Sequence, residues 1–162
     1  LEMKDCLNVL LNTKNAPKDL REKSLLMAGH MLEFTNKSRK GNGYEYAKEI
    51  LDSGKALEIF QRIVRAQEGQ YIHPDKLTPG KHQFTYCAPK SGHVTHLDNL
   101  AIARIARMAG SPRDKGAGIA VYVRRHSAVT KGQPIFTIYA ENPSNLKFAK
   151  ELWTSMDGVK IS

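Results

Sequence analysis

Four residues of the segment RDKGAGI, namely Arg113, Lys115, Gly116 and Gly118, have the types and spacing to receive a phosphate group. Glycines at 116 and 118 allow the backbone to turn its amides toward an anion, and the two cations add charge. The segment lacks the G-K-[ST] ending of a P-loop and leads into a strand, where no helix dipole assists. On spacing alone, an ordinary glycine turn competes with an anion site. Other chemistry finds less support. His93 and His96, with Cys87 nearby, are the most metal-like set, but residues three apart on a strand point to opposite faces and the zinc spacings are absent. His30 and Glu33 share a helix face without the two-histidine pattern of a zinc protease, and read as a polar pair. No G-x-S-x-G elbow occurs, and neither Cys6 nor Cys87 sits in an activating context. The expectation is therefore no catalytic residue, no metal and no cofactor on this chain.

Two further patterns point to binding. Arg104, Arg107, Arg113, Lys115, Arg124 and Arg125 form a basic set that could follow nucleic acid, but only Tyr122 supplies an aromatic close in sequence, where an RNA binder interleaves several. A solvated basic face is the better reading, and nucleic acid is not expected as a partner. The stretch VYVRRHSAVTKGQPIFTIYAE, two strands around a V-x-x-G-Q turn, has the build of a biotinyl or lipoyl carrier domain. Carriers present a lysine at a hairpin tip, usually flanked by Met; the tip Pro89-Lys90-Ser91 has no Met and precedes a helix that carriers lack.

The elements that must position these groups change character along the chain. Residues 1–69 read as helices. Leu7, Leu10 and Leu11 share one face of a first helix, and Asn15 to Pro17 end it. Asp19 and Glu22 predict a capping box opening a second helix through about Asn36, with an inward stripe of Leu25, Ala28, Gly29 and Leu32. Met27, Met31 and Phe34 make its other side apolar too, so that helix needs burial on more than one side. Tyr44–Asp52 and Lys55–Glu68 predict two more helices, the last with Ala56, Phe60, Ile63, Val64 and Gln67 inward. Residues 70–82, with Pro74, Pro79 and Gly80, read as a linker. Residues 83–162 then predict strands Gln83–Ala88 and Gly92–Leu97 around a turn, a helix capped by Asp98 and running through Ala109, and two strands in IAVYVRR and PIFTIYA. A final helix spans about Ser144–Ser155.

The 162 residues, 41% apolar, can furnish a packed core, and no apolar run approaches the ~20 residues that span a bilayer. Two distant cysteines do not make a disulfide framework, so a reducing cytoplasm fits best and a membrane partner is not expected. The formal charge of +9 invites a polyanion, and it is uneven: +2 over residues 1–68 and +7 over 69–162. The chain opens directly on helix-like sequence with no initiator Met and its helices carry more apolar surface than they can bury among themselves. It therefore reads as a piece of something longer.

The run LDSGKALEIFQRIVRAQEG, the Pro-rich linker, and KSGHVTHLDNLAIARIARMAGSPRDKGAGIAVYVRRHSAVTKGQPIFTIYAEN closely resemble the C-terminal part of the thymidine and pyrimidine-nucleoside phosphorylase family. The likeness is strongest to its archaeal AMP phosphorylase branch. The most specific parts are SGKAL at Ser53, SG-x-V at Ser91 and D-K-G-A-G-I at Asp114. The resemblance implies an α+β fold. Residues 1–69 would be helices completing a parent's large substrate domain, and residues 83–162 a C-terminal α/β-hammerhead, or barrel-sandwich hybrid, domain. Such enzymes transfer a pentosyl group to inorganic phosphate, their co-substrate, and release a base. The resemblance further implies that the rest of the parent chain and a nucleotide or nucleoside are partners, that the parent is a homo-oligomer, and that the substrate-handling residues lie in stretches absent here. The chain alone is thus expected to be inactive, with the 110–118 loop facing the parent's cleft.

Overall fold

The computed structural model describes residues 1–156 and 158–162, and it divides into two compact units, Glu2–Leu77 and Thr78–Ser162. The first unit is helical: α1 (Glu2–Leu10), α2 (Lys18–Phe34), α3 (Gly43–Asp52) and α4 (Lys55–Ala66), then a single 3-10 turn at Pro74–Lys76. Its core is small. Val9, Leu25, Ala47 and Leu51 are buried, with Leu10, Leu20, Leu32, Tyr44 and Ala56 packed around them. Helix α2 meets the start of α3 backbone to backbone, since a Cβ on Gly29 would lie 2.6 Å from the Tyr44 nitrogen. Only hydrogen fits there, so the two glycines at 29 and 43 set how closely these helices pack.

Two local expectations change. No capping box opens α2: the helix begins at Lys18 behind Pro17, which offers no side-chain cap, and the Glu22 carboxylate instead accepts the Tyr44 hydroxyl at 2.5 Å. That tertiary bond also raises the Tyr44 pKa, because the phenol proton is shared with a carboxylate. Helix α4 buries no residue at all, and Ile63 from its expected inward stripe is half exposed beside Ile59. The apolar excess read from α2 is on the surface as well, with Met27, Met31 and Phe34 at 58%, 67% and 89% exposure.

The second unit is α+β: β1 (His82–Cys87), β2 (Gly92–Leu97), α5 (Asn99–Met108), β3 (Gly118–Val121), β4 (Ala128–Val129), β5 (Pro134–Ala140), α6 (Pro143–Thr154) and β6 (Val159–Ile161). Among the described residues the strands form two antiparallel sheets, ordered β1-β5-β3 and β4-β2-β6, and no closed barrel. Strands β1 and β2 follow one another in the chain yet belong to different sheets, so Pro89-Lys90-Ser91 is a crossover between sheets, not a hairpin tip. The IAVYVRR strand stops at Val121. Val123 enters the core, and a turn closed by Ser127 accepting the Arg124 amide carries the chain to the other sheet.

The core explains why this unit holds together. Phe136, Ile138 and Ala140 alternate along the central strand β5 and are fully buried, meeting Ile105 of α5 and Trp153 of α6. Trp153 stands edge-on to Phe136 and Tyr86, with ring centroids 4.6 and 4.9 Å away. Both helices are capped from their own sequence. Asp98 accepts the Leu100 and Ala101 amides at α5, and Asn142 accepts the Asn145 amide at α6, ahead of Pro143 in the first turn.

Candidate functional site

The segment from Gly110 to Gly118 leaves the C-terminus of α5 and feeds β3. Gly110 has φ +120°, and a Cβ there would lie 2.2 Å from Asp114 Oδ2, so both the backbone conformation and the space demand glycine. Short-range bonds then compact the loop: the Asp114 amide donates to the Gly110 carbonyl at 2.9 Å and the Ala117 amide to the Asp114 carbonyl at 3.0 Å. Longer-range bonds anchor it. Asn145 Nδ2 on α6 donates to Asp114 Oδ2 at 3.2 Å, and the Gly80 amide donates to the Gly116 carbonyl at 2.7 Å. The Gly116 amide donates to Glu141 Oε1 at 2.6 Å, the short distance of a charge-assisted bond.

The four residues singled out by sequence therefore separate into roles. Arg113 and Lys115 are exposed, and Lys115 Nζ lies 3.4 Å from the Pro112 carbonyl. Gly116 sits at the junction of the loop with Gly80 and Glu141. Gly118 is buried and belongs to the β3 ladder opposite Tyr139, where it shapes the sheet end. Glu141, Asn145 and Gly80 were not visible as members of this group. They lie 25 or more residues from their partners, and only the register of β1, β5 and β3, which brings two strand starts and one strand end together, places them.

The electrostatics of the loop are balanced locally, Arg113 and Lys115 against Asp114 and Glu141, so a wider basic surface must supply any long-range pull. Arg104 and Arg107 on the outer face of α5 are exposed, and so is Arg125, which donates to the Thr95 carbonyl at 3.2 Å. Tyr122 is half exposed, and its hydroxyl donates to Thr137 Oγ1 at 3.0 Å.

The remaining candidates resolve simply. His93 and His96 are both exposed, because the strand shifts register between Val94 and His96. Among the described residues, no three His, Cys, Asp or Glu side chains converge. Glu33 turns chiefly to the start of α3: its carboxylate accepts the Gly43 amide at 2.8 Å, and that bond chiefly holds its pKa below the ordinary value, with His30 adding a smaller Coulombic lowering. Lys90 is exposed on the crossover, and among the described residues no helix is long and apolar enough to cross a membrane.

Residues 93–157, which contain the whole loop with Glu141 and Asn145, match the family description "Pyrimidine nucleoside phosphorylase C-terminal domain". The likeness extends over the helical unit too. A Methylococcus capsulatus protein named "Putative thymidine phosphorylase" is 42% identical over 161 residues, which is 99% of this chain and 31% of that protein. Over its whole length the chain is similar to the C-terminal part of thymidine/pyrimidine-nucleoside phosphorylases. The AMP phosphorylases of Thermococcus kodakarensis and Pyrococcus abyssi are each 42% identical over 162 residues, 99% of this chain and 32% of theirs. The chain thus spans about a third of the length of these phosphorylase relatives, and the match runs through both structural units. Neither the carrier nor the RNA-binding reading gains support from these relatives.

Proposed function

We propose that this chain works as the C-terminal region of a phosphorylase in which inorganic phosphate attacks the anomeric carbon of a nucleoside monophosphate such as AMP, or of a pyrimidine nucleoside, and the base departs. As the bond to the base breaks and the bond to phosphate forms, the sugar between them takes on oxocarbenium character, so catalysis rests on pre-placed contacts to anion and base. In this reading residues 1–69 complete the large substrate domain and the α+β unit is the lobe that closes over the cleft and excludes water. The single observation that carries it is identity of about 42% sustained across both units against phosphorylases. The half-exposed apolar face of α4 and the exposed Met27, Met31 and Phe34 support it, because an unpartnered apolar surface of this extent suits packing against the rest of a larger chain.

The loop's part follows from its chemistry. Arg113 and Lys115 are exposed on a glycine-rich turn and would meet a phosphate group at the cleft, with Gly116 contributing backbone donor capacity and Gly118 fixing the loop to the sheet. No cofactor takes part; inorganic phosphate is the co-substrate. The enzyme is cytoplasmic, in keeping with the free, exposed Cys6 and Cys87, and it acts as a homo-oligomer. Residues 1–162 by themselves release no base from AMP or thymidine with phosphate present. In the complete phosphorylase, R113A/K115A raises the KM for phosphate or nucleotide, or lowers kcat, by about tenfold, the scale of losing one or two charge-assisted contacts. Unchanged kinetics would remove the loop from the mechanism.

A further inference from the structure

The one glycine amide of the loop that is aimed outward to a negative oxygen already has one. Gly116 donates to Glu141 Oε1 at 2.6 Å, while its carbonyl accepts the Gly80 amide at 2.7 Å. A Cβ at position 116 would lie 2.9 Å from the Gly80 nitrogen and 3.0 Å from Glu141 Oε1, so glycine is what lets the carboxylate and the chain before β1 close on this point. Glu141 is exposed, one residue beyond β5, and among the described residues no cation lies within ion-pair distance of it. Its hydrogen-bond partner is a backbone amide. A phosphate oxygen is the same kind of acceptor as a carboxylate oxygen, and Arg113 and Lys115 stand exposed in the same loop without engaging Glu141.

We propose that Glu141 is an internal competitor for the anion: its carboxylate satisfies the Gly116 amide in the free loop, and a phosphate group arriving on Arg113 and Lys115 takes that amide from it. The proposal rests on the phosphate reading of the loop given above. Two consequences follow from the chemistry. The amide is never left bare, so the loop stays ordered without ligand. The displaced carboxylate also repels the incoming anion, so Glu141 lowers the loop's phosphate affinity below what its cations and amide would provide. Because the Gly116 carbonyl is bonded to Gly80, the exchange of acceptor at Gly116 is felt at the segment that starts this unit, next to the boundary at Leu77/Thr78.

The test is a titration of the 162-residue protein with inorganic phosphate at constant ionic strength, balanced with chloride, followed by backbone amide NMR at Gly116, Lys115 and Gly80. The Trp153 indole signal reports that the fold is intact. Wild type, E141Q and E141A are compared, since Gln keeps an acceptor without the charge. Expected are saturable shifts in all three, with the phosphate dissociation constant about three- to tenfold lower in E141A and intermediate in E141Q. In ligand-free E141A the Gly116 amide, left with neither carboxylate nor phosphate as acceptor, should shift away from both wild-type states and return toward the phosphate-bound position as phosphate is added. Equal dissociation constants in wild type and E141A overturn the competitor role while leaving the loop's phosphate reading standing. An absence of saturable shifts in every protein overturns that reading, and the competitor with it.

Discussion

The Glu33 carboxylate, one residue before the end of α2, accepts the amide of Gly43 at the start of α3, and this bond ties the two helices that form most of the first unit's packing. Its pKa is lowered chiefly by that amide and further by the Gly41 amide. A depressed carboxylate contributes stability that is fully present above the unfolded-state pKa and is lost as pH falls through the folded value. The gap in thermal stability between wild type and E33Q is therefore largest near pH 6 and shrinks toward pH 3, with the Gly43 amide shift titrating in the same window. A gap that is the same at pH 3 as at pH 6 would mean that the bond does not matter. Gly110 shows the other way a residue acts here. Its positive φ and the carboxylate 2.2 Å from where a Cβ would stand leave no other side chain compatible with this loop.

Helix α4 has a well-formed apolar stripe and little to bury it against beyond Ala56 at its first turn. Amphipathicity is a property of the helix, but burial needs a partner surface, and in this unit α4 touches chiefly α3, through its first turn. Ile59 and Ile63, each about half exposed, already keep much of their contact with water. I59S/I63S consequently changes the unfolding free energy of this chain by less than about 0.5 kcal/mol per site, as surface substitutions do. Phe136→Ala in the core of the other unit costs about 3–5 kcal/mol by the same urea melt. A large loss from the α4 pair would show that the stripe is buried within this chain, and so would argue against the proposed packing of that face on the rest of a longer chain.

At the scale of the molecule, two units of unequal strength share one chain. Among the described residues, a cluster of four buried apolar side chains holds the helical unit and a cluster of twelve holds the α+β unit. The only tryptophan, Trp153, sits in the larger core, so its fluorescence reports the α+β unit while far-UV circular dichroism reports both. The two probes therefore give non-coincident urea transitions, with helical signal lost first. Coincident curves would show a single cooperative unit. The charge is divided along the same line, with the excess of +7 in residues 69–162, where the arginines of α5 are exposed.

Local signals settled what local physics decides. Asp98 and Asn142 cap their helices because an Asx side chain and the following amides are two or three residues apart, and β5 reads as a buried strand because every residue from Ile135 to Ile138 is apolar or hydrogen-bonded Thr137. The α+β division, the family likeness and the glycine loop were all legible in the order of residues. Pairing was not. That β1 and β2 part company into different sheets, that Glu22 leaves its own helix terminus for Tyr44, and that Glu141 occupies the Gly116 amide depend on partners 22 to 67 residues away. Such contacts follow from how strand ends and helix faces meet once the core has formed, and no periodicity along the chain encodes which carboxylate arrives at which amide.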